Sequence, residues 1–302
     1  MKKRLMTVLF FTVFLGFHFL SIAQFTPEEI AEDARWEEFL KTAEITGKRQ
    51  LGGGEAVTAP WRLALEKDGI KRNALWKNPE GLQKGYLEGW KWEIAAYRLD
   101  RYLELNMVPP TVEREFQGRP GCCQLWVTAE MDLRRKTREK IKTPFDKVYY
   151  WNLAIYLQRA FDNLIANEDR HSGNILITKD WRMILIDHSR SFSTSKKFST
   201  ELIYTEKHKE GPMIMKKLPR TFVEKLKALN FELMKDIVGK YLTNEEIEAI
   251  LMRRDLIIGW LDKQIKKLGE DEVLYLEFLD LWKIADPVKL TPFGFLTSFF
   301  QQ

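Results

Sequence analysis

The sequence predicts an α+β protein of two lobes, a small β-rich lobe over residues 50–130 and a larger, mainly helical lobe over residues 131–302. Three observations carry this. An Asp68-Gly69 dipeptide separates two alternating apolar stretches, the short-range signature of a two-residue β-hairpin. From Phe145 apolar residues recur at helical spacing, through Val148, Tyr149, Leu153, Tyr156, Leu157, Ala160, Phe161 and Leu164 to Ile165, which predicts a long, largely buried helix. Between these regions the pattern changes near residue 130, and that is where the seam is expected.

A chain of 302 residues with 45% hydrophobic and 30% charged residues has a globular composition, large enough for two lobes sharing a cleft. The net charge of +5 is mild and gives no case for a nucleic-acid partner; much of it is local, in Arg134, Arg135, Lys136, Arg138, Lys140 and Lys142. Such a run reads first as a solvated face and second as a contact for a membrane surface. Residues 1–23 begin with Lys2, Lys3 and Arg4, continue with an apolar stretch to Leu20 and end in Ser-Ile-Ala, the pattern of a secretory signal peptide. The apolar stretch is shorter than the roughly 20 residues that span a bilayer, so export is expected rather than anchoring. Cys122 and Cys123 are adjacent, which strains a disulfide and is too few ligands for a structural zinc site; they read as small buried hydrophobes.

Taken in order, residues 24–49 are expected to hold an N-terminal helix, with Thr26 as its cap and Pro27 in its first turn. Residues 47–60, with Gly52, Gly53 and Gly54, read as a Gly-rich loop before the hairpin. Residues 90–105 read as a helix, the prolines after Met107 as extended chain, and Cys122–Met131 as a buried strand leaving the sheet. Beyond the long helix come two short strands around a Lys179-Asp180 turn, a Ser/Thr-rich stretch, helices at 219–237 and 243–266, and an aromatic tail with Phe293, Phe295, Phe299 and Phe300.

The chemistry gathers in the loop after the long helix. In Asn-Glu-Asp-Arg-His-Ser-Gly-Asn, Asp169 and Asn174 stand five apart, and Asp187 ends an Ile-rich strand, where a carboxylate is costly unless something positive meets it. Read alone, Asp169-Arg170-His171 is a solvated turn. A hairpin across Lys179-Asp180, however, brings Asn174 and Asp187 to one point as two hard oxygen donors, which suits Mg²⁺ or Mn²⁺ completed by phosphates and water. Asp169 is then free to deprotonate a hydroxyl, the division of labour that phosphoryl transfer from ATP requires. That reading demands a phosphate-binding Lys on an upstream strand and a Glu on the next helix. Lys77 and Glu93 occupy those places, and Gln124, Trp126 and Val127 fall where the connection between lobes would hold adenine.

The stretches 92–114, 161–174 and 184–192 resemble the secretory-pathway kinases of the Golgi casein-kinase type. The Asp-Arg-His-x-x-Asn loop is also similar to phosphatidylinositol 3-/4-kinases and HipA-like kinases. The resemblance runs from about residue 50 to 195 and implies a kinase-like fold. It also implies Lys77 on the nucleotide phosphates with Glu93 as its partner, Asp169 as base, and Asn174 with Asp187 on the metal; His171 assists or braces the loop. The chain departs from the usual pattern at Ser189, where a glycine is expected two after the metal-binding Asp, and at Val57 in the glycine loop. It also lacks an Ala-Pro-Glu segment. The expected acceptor is a hydroxyl of a protein or of a lipid or other envelope component. The alternatives are an exported nucleotide-binding scaffold without turnover and a phosphoinositide-type lipid kinase.

Overall fold

The computed structural model describes residues 25–52, 59–208 and 211–276. The segments carrying the expected signal peptide, Gly53, Gly54, Val57 and the aromatic tail lie outside these.

The chain enters through α1 (Pro27–Ala31), capped by Thr26 in a reciprocal box with Glu29, and α2 (Asp33–Thr42). The N-terminal helix expected over 24–49 therefore ends early. Residues Glu44–Gln50 form β1, whose Gly47 to Gln50 had read as loop; the edge pairing with the next strand overrides their weak local preference. Then come β2 (Trp61–Lys67) and β3 (Ile70–Lys77), joined at Asp68 (φ +51°) and Gly69 (φ +75°), the left-handed pair a type I′ hairpin needs. A small hairpin, β4 (Glu80–Gln83) and β5 (Tyr86–Gly89), leads directly into helix α3 (Trp90–Tyr102). Strands β6 (Thr111–Phe116) and β7 (Arg119–Leu125) complete a five-stranded antiparallel sheet of order β1-β2-β3-β7-β6. Gly121 is required where β7 passes β3, since a Cβ there would lie 2.7 Å from the Lys77 carbonyl oxygen and from the Trp76 ring.

The two sheet faces have different neighbours. Leu63, Leu65, Ala74, Trp76 and Cys123 pack under α2 with Phe39 and Leu40. Cys122, on the opposite face, joins α3 in the larger core that continues into the second lobe. Both cysteines are free and buried, and burial pushes the Cys123 thiol up to about 12.

The second lobe begins with β8 (Met131–Asp132), α4 (Leu133–Arg138) and, after a short 3-10 turn, α5 (Val148–Ile165). The first turn of this helix is not buried as its periodicity suggested: Val148 and Tyr149 are exposed and Phe145 before them is 97% exposed, because the helix meets the core only from Trp151 onward. Ala166 (φ +50°) ends α5. The chain then runs through the Asp169 loop into β9 (Ile175–Ile177) and β10 (Met183–Leu185), which pair antiparallel. The rest is helical: α6 (Lys196–Thr200), then β11 (Leu218–Pro219), α7 (Arg220–Ala228), α8 (Phe231–Val238), α9 (Asn244–Leu268), α10 (Glu270–Val273) and β12 (Leu274–Tyr275). The helix expected over 219–237 is two, interrupted at Leu229 and Asn230, where Asn230 caps α8 through its side chain.

Candidate active site

Lys77 is the last residue of β3, and its side chain lies on the α3 face of the sheet. Its ammonium stands 2.5 Å from Glu93 of α3 and 2.6 Å from Asp187, with Lys77 and Glu93 both almost wholly buried. Burial alone would lower the lysine pKa; Asp187 and Glu93 outweigh it and hold Lys77 charged, above its ordinary range. Burial would likewise raise Glu93, but Lys77 draws it well below the usual carboxylate range. The backbone N–H of His188 donates to the same carboxylate at 2.9 Å, so Glu93 is fixed from two elements. The His188 imidazole is fully buried near Phe161, and burial together with the Arg170 charge lowers its pKa.

The Asp169 loop is built around Arg170. Its guanidinium spans both oxygens of Asp162 in the last turns of α5, at 3.0 and 3.1 Å, and donates to the carbonyls of Asn174 (3.0 Å) and Ile186 (2.6 Å). This buried, fully engaged pair ties the loop to the helix and to both strands at once. Asp169 receives its backbone position from the Asn167 side chain, which accepts its N–H at 3.1 Å. His171 turns its Nδ1 to accept the Gly173 N–H at 3.0 Å, a brace of the 3-10 turn at 172–174.

Asn174 and Asp187 are brought together by the hairpin, as the Ile186 N–H donates to the Asn174 carbonyl at 3.2 Å. The Asn174 Nδ2 is committed to the Asp169 carbonyl (3.1 Å), so its Oδ1 is the atom left for a cation. Asp187 has φ +61°, a left-handed backbone that Asp tolerates better than most residues but that still costs about 1 kcal/mol. Burial would raise its carboxyl, but Lys77 holds it below the ordinary value. The Ser189 hydroxyl lies 3.1 Å from both Asp187 Oδ1 and Glu88 Oε2. Among the described residues no group of three or more His, Cys, Asp or Glu side chains could enclose a metal. The donor set of Asn174 and Asp187, two hard oxygens on adjoining strand ends, fits a cation whose shell is completed by phosphate and water.

Not every expected site residue joins this network. Gln124 is buried and its Nε2 donates to Thr111 within the sheet at 2.9 Å. Trp126 lies under the Arg62 guanidinium, 4.8 Å from its ring centroid, and with Val127 lines a cavity of about 390 Å³. That cavity also touches Phe25, Trp36 and Arg182, on the α2 side of the connection, and none of Lys77, Asp169, Asn174 or Asp187 lines it. Gly52 ends the described part of the glycine loop. Two residues escaped the sequence reading, Glu88 and Arg190. Arg190 binds Glu88 at 2.8 Å and reaches Asp169 at 3.4 Å. The only signal would have been a buried position for an acid at the end of a short hairpin, which alternation over four residues does not reveal.

A five-stranded sheet lobe joined to a helical lobe, with a buried Lys–Glu pair between strand and helix, defines a kinase-like fold. Among solved structures the chain is similar to that of hydra Fam20 with sugar, with a TM-score of 0.59 and 16% identity, covering 86% of this chain and 96% of that one. It is similar to the Golgi casein kinase with Mn/ADP bound, with a TM-score of 0.55 and 15% identity over 81% and 79% of the two chains. A second Golgi casein kinase structure matches at TM-score 0.55 and 16% identity over the same shares. No protein-family model and no curated protein sequence matches. At these identities the likeness establishes the fold, and the chemistry rests on the residues described above.

Proposed function

We propose that the protein is an ATP- and Mg²⁺- or Mn²⁺-dependent phosphotransferase acting on a hydroxyl, an atypical kinase of the secretory-pathway type with a loop shared by the phosphatidylinositol 3-/4-kinase and HipA-like groups. One observation carries it: a buried ammonium held between Glu93 and Asp187 at 2.5 and 2.6 Å, with Asn174 of the adjoining loop bonded through its Nδ2 to the Asp169 carbonyl. The signal-peptide pattern makes it an exported enzyme in this reading.

Each residue has a task. Lys77 binds nucleotide phosphate oxygens, with Glu93 keeping the ammonium in place. Asn174 Oδ1 and Asp187 would hold the metal, which when bound neutralises charge on the phosphate oxygens. Asp169 accepts the proton of the acceptor hydroxyl as its oxygen attacks the γ-phosphorus and the bond to the ADP oxygen breaks. Arg170 and His171 keep the loop in shape. One further observation bears on the acceptor: Phe145, 97% exposed, stands within residues 133–149, which carry seven basic against two acidic residues. An acceptor at an anionic membrane surface fits that patch.

The test uses γ-labelled ATP with Mn²⁺ or Mg²⁺ and the envelope fraction of the source organism. The wild type should transfer label, and Asp169→Asn should lose about 10²–10⁴-fold while still gaining thermal stability from nucleotide and metal. Asp187→Ala should lose both. Stabilisation by nucleotide without transfer would leave a nucleotide-binding scaffold and end the enzyme reading.

A further inference from the structure

We propose that Arg190 is the positioning residue for Asp169 and that the β4–β5 hairpin is its mount, an inference that rests on the phosphotransfer reading above. All three guanidinium nitrogens of Arg190 are engaged. Nε and Nη2 donate to Glu88 Oε1 at 2.9 and 2.8 Å, and Nη1 lies 3.4 Å from Asp169 Oδ2. The guanidinium also stacks over Tyr86 of the same hairpin, 4.2 Å from its ring centroid. Glu88 is itself only 3% exposed, and a carboxylate so placed is costly unless paired. Its second oxygen, Oε2, meets the Ser189 hydroxyl, and the Gly89 N–H donates to the Ser189 carbonyl at 2.9 Å. One hairpin acid thus fixes the two residues that follow Asp187 by two and three positions.

The physical consequence concerns the freedom of Asp169. A carboxylate on a loop, with a third of its side chain exposed, can turn about its terminal bond. Contact at Oδ2 leaves Oδ1 to receive the acceptor's proton. Arginine suits the task because its planar fork can hold Glu88 with one edge and Asp169 with the other, which a lysine point charge cannot do. Clamping by Glu88 and Tyr86 removes most of the arginine's own rotamer freedom in advance, so little remains to be lost when Asp169 is held. A misplaced reacting group of this kind costs up to about 10²-fold in rate.

The experiment measures Mn²⁺–ATP hydrolysis, with water as the acceptor, alongside nucleotide affinity and thermal midpoint. Arg190→Met keeps the stem on Tyr86 and should lower kcat by about 10- to 100-fold, with nucleotide affinity within about twofold of wild type. Arg190→Lys should recover only part of the loss. Tyr86→Leu, at an exposed position that the fold tolerates, should lower kcat about two- to fivefold, the worth of one exposed cation–π contact. A wild-type kcat in Arg190→Met, or losses of kcat, affinity and midpoint in equal step that lysine fully restores, would overturn the proposal and leave Arg190 a structural partner of Glu88. Absence of turnover in the wild type would instead remove the phosphotransfer reading, and this inference with it.

Discussion

Two concentrations of charge among the described residues, around Lys77 in the interior and along residues 133–149 at the surface, are built on opposite rules. Lys77, Glu93, Asp187, Arg170 and Asp162 come from a strand, two helices, a loop and a strand end, and each meets opposite charge within 3.0 Å. The surface run draws seven basic residues from one short stretch, where like charges one to four apart cannot satisfy one another. Arg135 and Arg138 share one acid, Glu139, and Lys136 rests on the rings of Trp151 and Trp181. Opposite charges far apart in sequence can be brought inside as pairs, whereas like charges adjacent in sequence stay outside and leave a field. The interior set can be broken by losing one member; the surface set should barely notice.

Removing one member of the interior set is the largest effect expected. Lys77→Met leaves Glu93 buried beside an apolar side chain, which should destabilise the protein by about 3–5 kcal/mol and abolish any nucleotide-dependent gain in thermal midpoint. The double variant Lys77→Met/Glu93→Leu removes both charges and should lie closer to wild type in stability than the single variant, although equally silent toward nucleotide. Urea unfolding of the three proteins measures this. A single variant as stable as wild type would mean that Glu93 finds water or a proton at little cost.

How much of this was legible beforehand follows the same division. Asp169, Asn174 and Asp187 stood out beside strongly periodic apolar elements, whereas Lys77 and Glu93 were legible only because phosphoryl transfer demands a Lys on an upstream strand and a Glu on the next helix; the structure places Lys77 in contact with both Glu93 and Asp187. The Asp68-Gly69 turn, the α3 helix and the Asn174–Asp187 hairpin were read from apolar patterning too. What was missed lacks such a frame. Strand β1 is a short, polar edge strand held by pairing with β2, and its composition resembles a loop. Glu88 is buried against Ser189 and Arg190, about a hundred residues later in the chain, and no local pattern encodes that meeting. Phe145, Val148 and Tyr149 fit the helical period of α5 but precede the point where the helix reaches the core. Periodicity states which residues share a face, and it cannot state what lies opposite that face.

A change of pH should sharpen the same contrast more gently. Glu93 lies below its ordinary value of 4.5 because Lys77 overcomes the effect of burial, so its contribution to stability is present above 4.5 and lost as pH falls. Lys77 lies above its ordinary 10.5, so its contribution is complete below 10.5 and lost as pH rises beyond it. The wild type should therefore lose stability more steeply than Lys77→Met/Glu93→Leu below pH 4.5 and above pH 10.5, and run parallel to it between. Urea midpoints at three or four pH values decide the matter, and parallel curves down to pH 3 would show that the pair is not carrying its charges.

The smallest expected effect on the fold belongs to the surface run, and there the difference should appear in binding. Phe145 is 97% exposed, so Phe145→Ser removes almost no buried area and should change stability by no more than about 0.5 kcal/mol. The same substitution takes an exposed aromatic side chain from a basic run, where each Lys or Arg near an anionic bilayer contributes about 1 kcal/mol of attraction. Flotation with phosphatidylserine vesicles should carry the wild type at low salt, and Phe145→Ser should weaken that binding. Neutral phosphatidylcholine vesicles should leave the wild type unbound, and so should salt well above 0.15 M, since the screening length there falls below about 8 Å. If the wild type fails to float with anionic vesicles at low salt, the run is a solvated face and nothing more. If it floats but Phe145→Ser floats equally, the basic residues act alone and the aromatic side chain has no part in it.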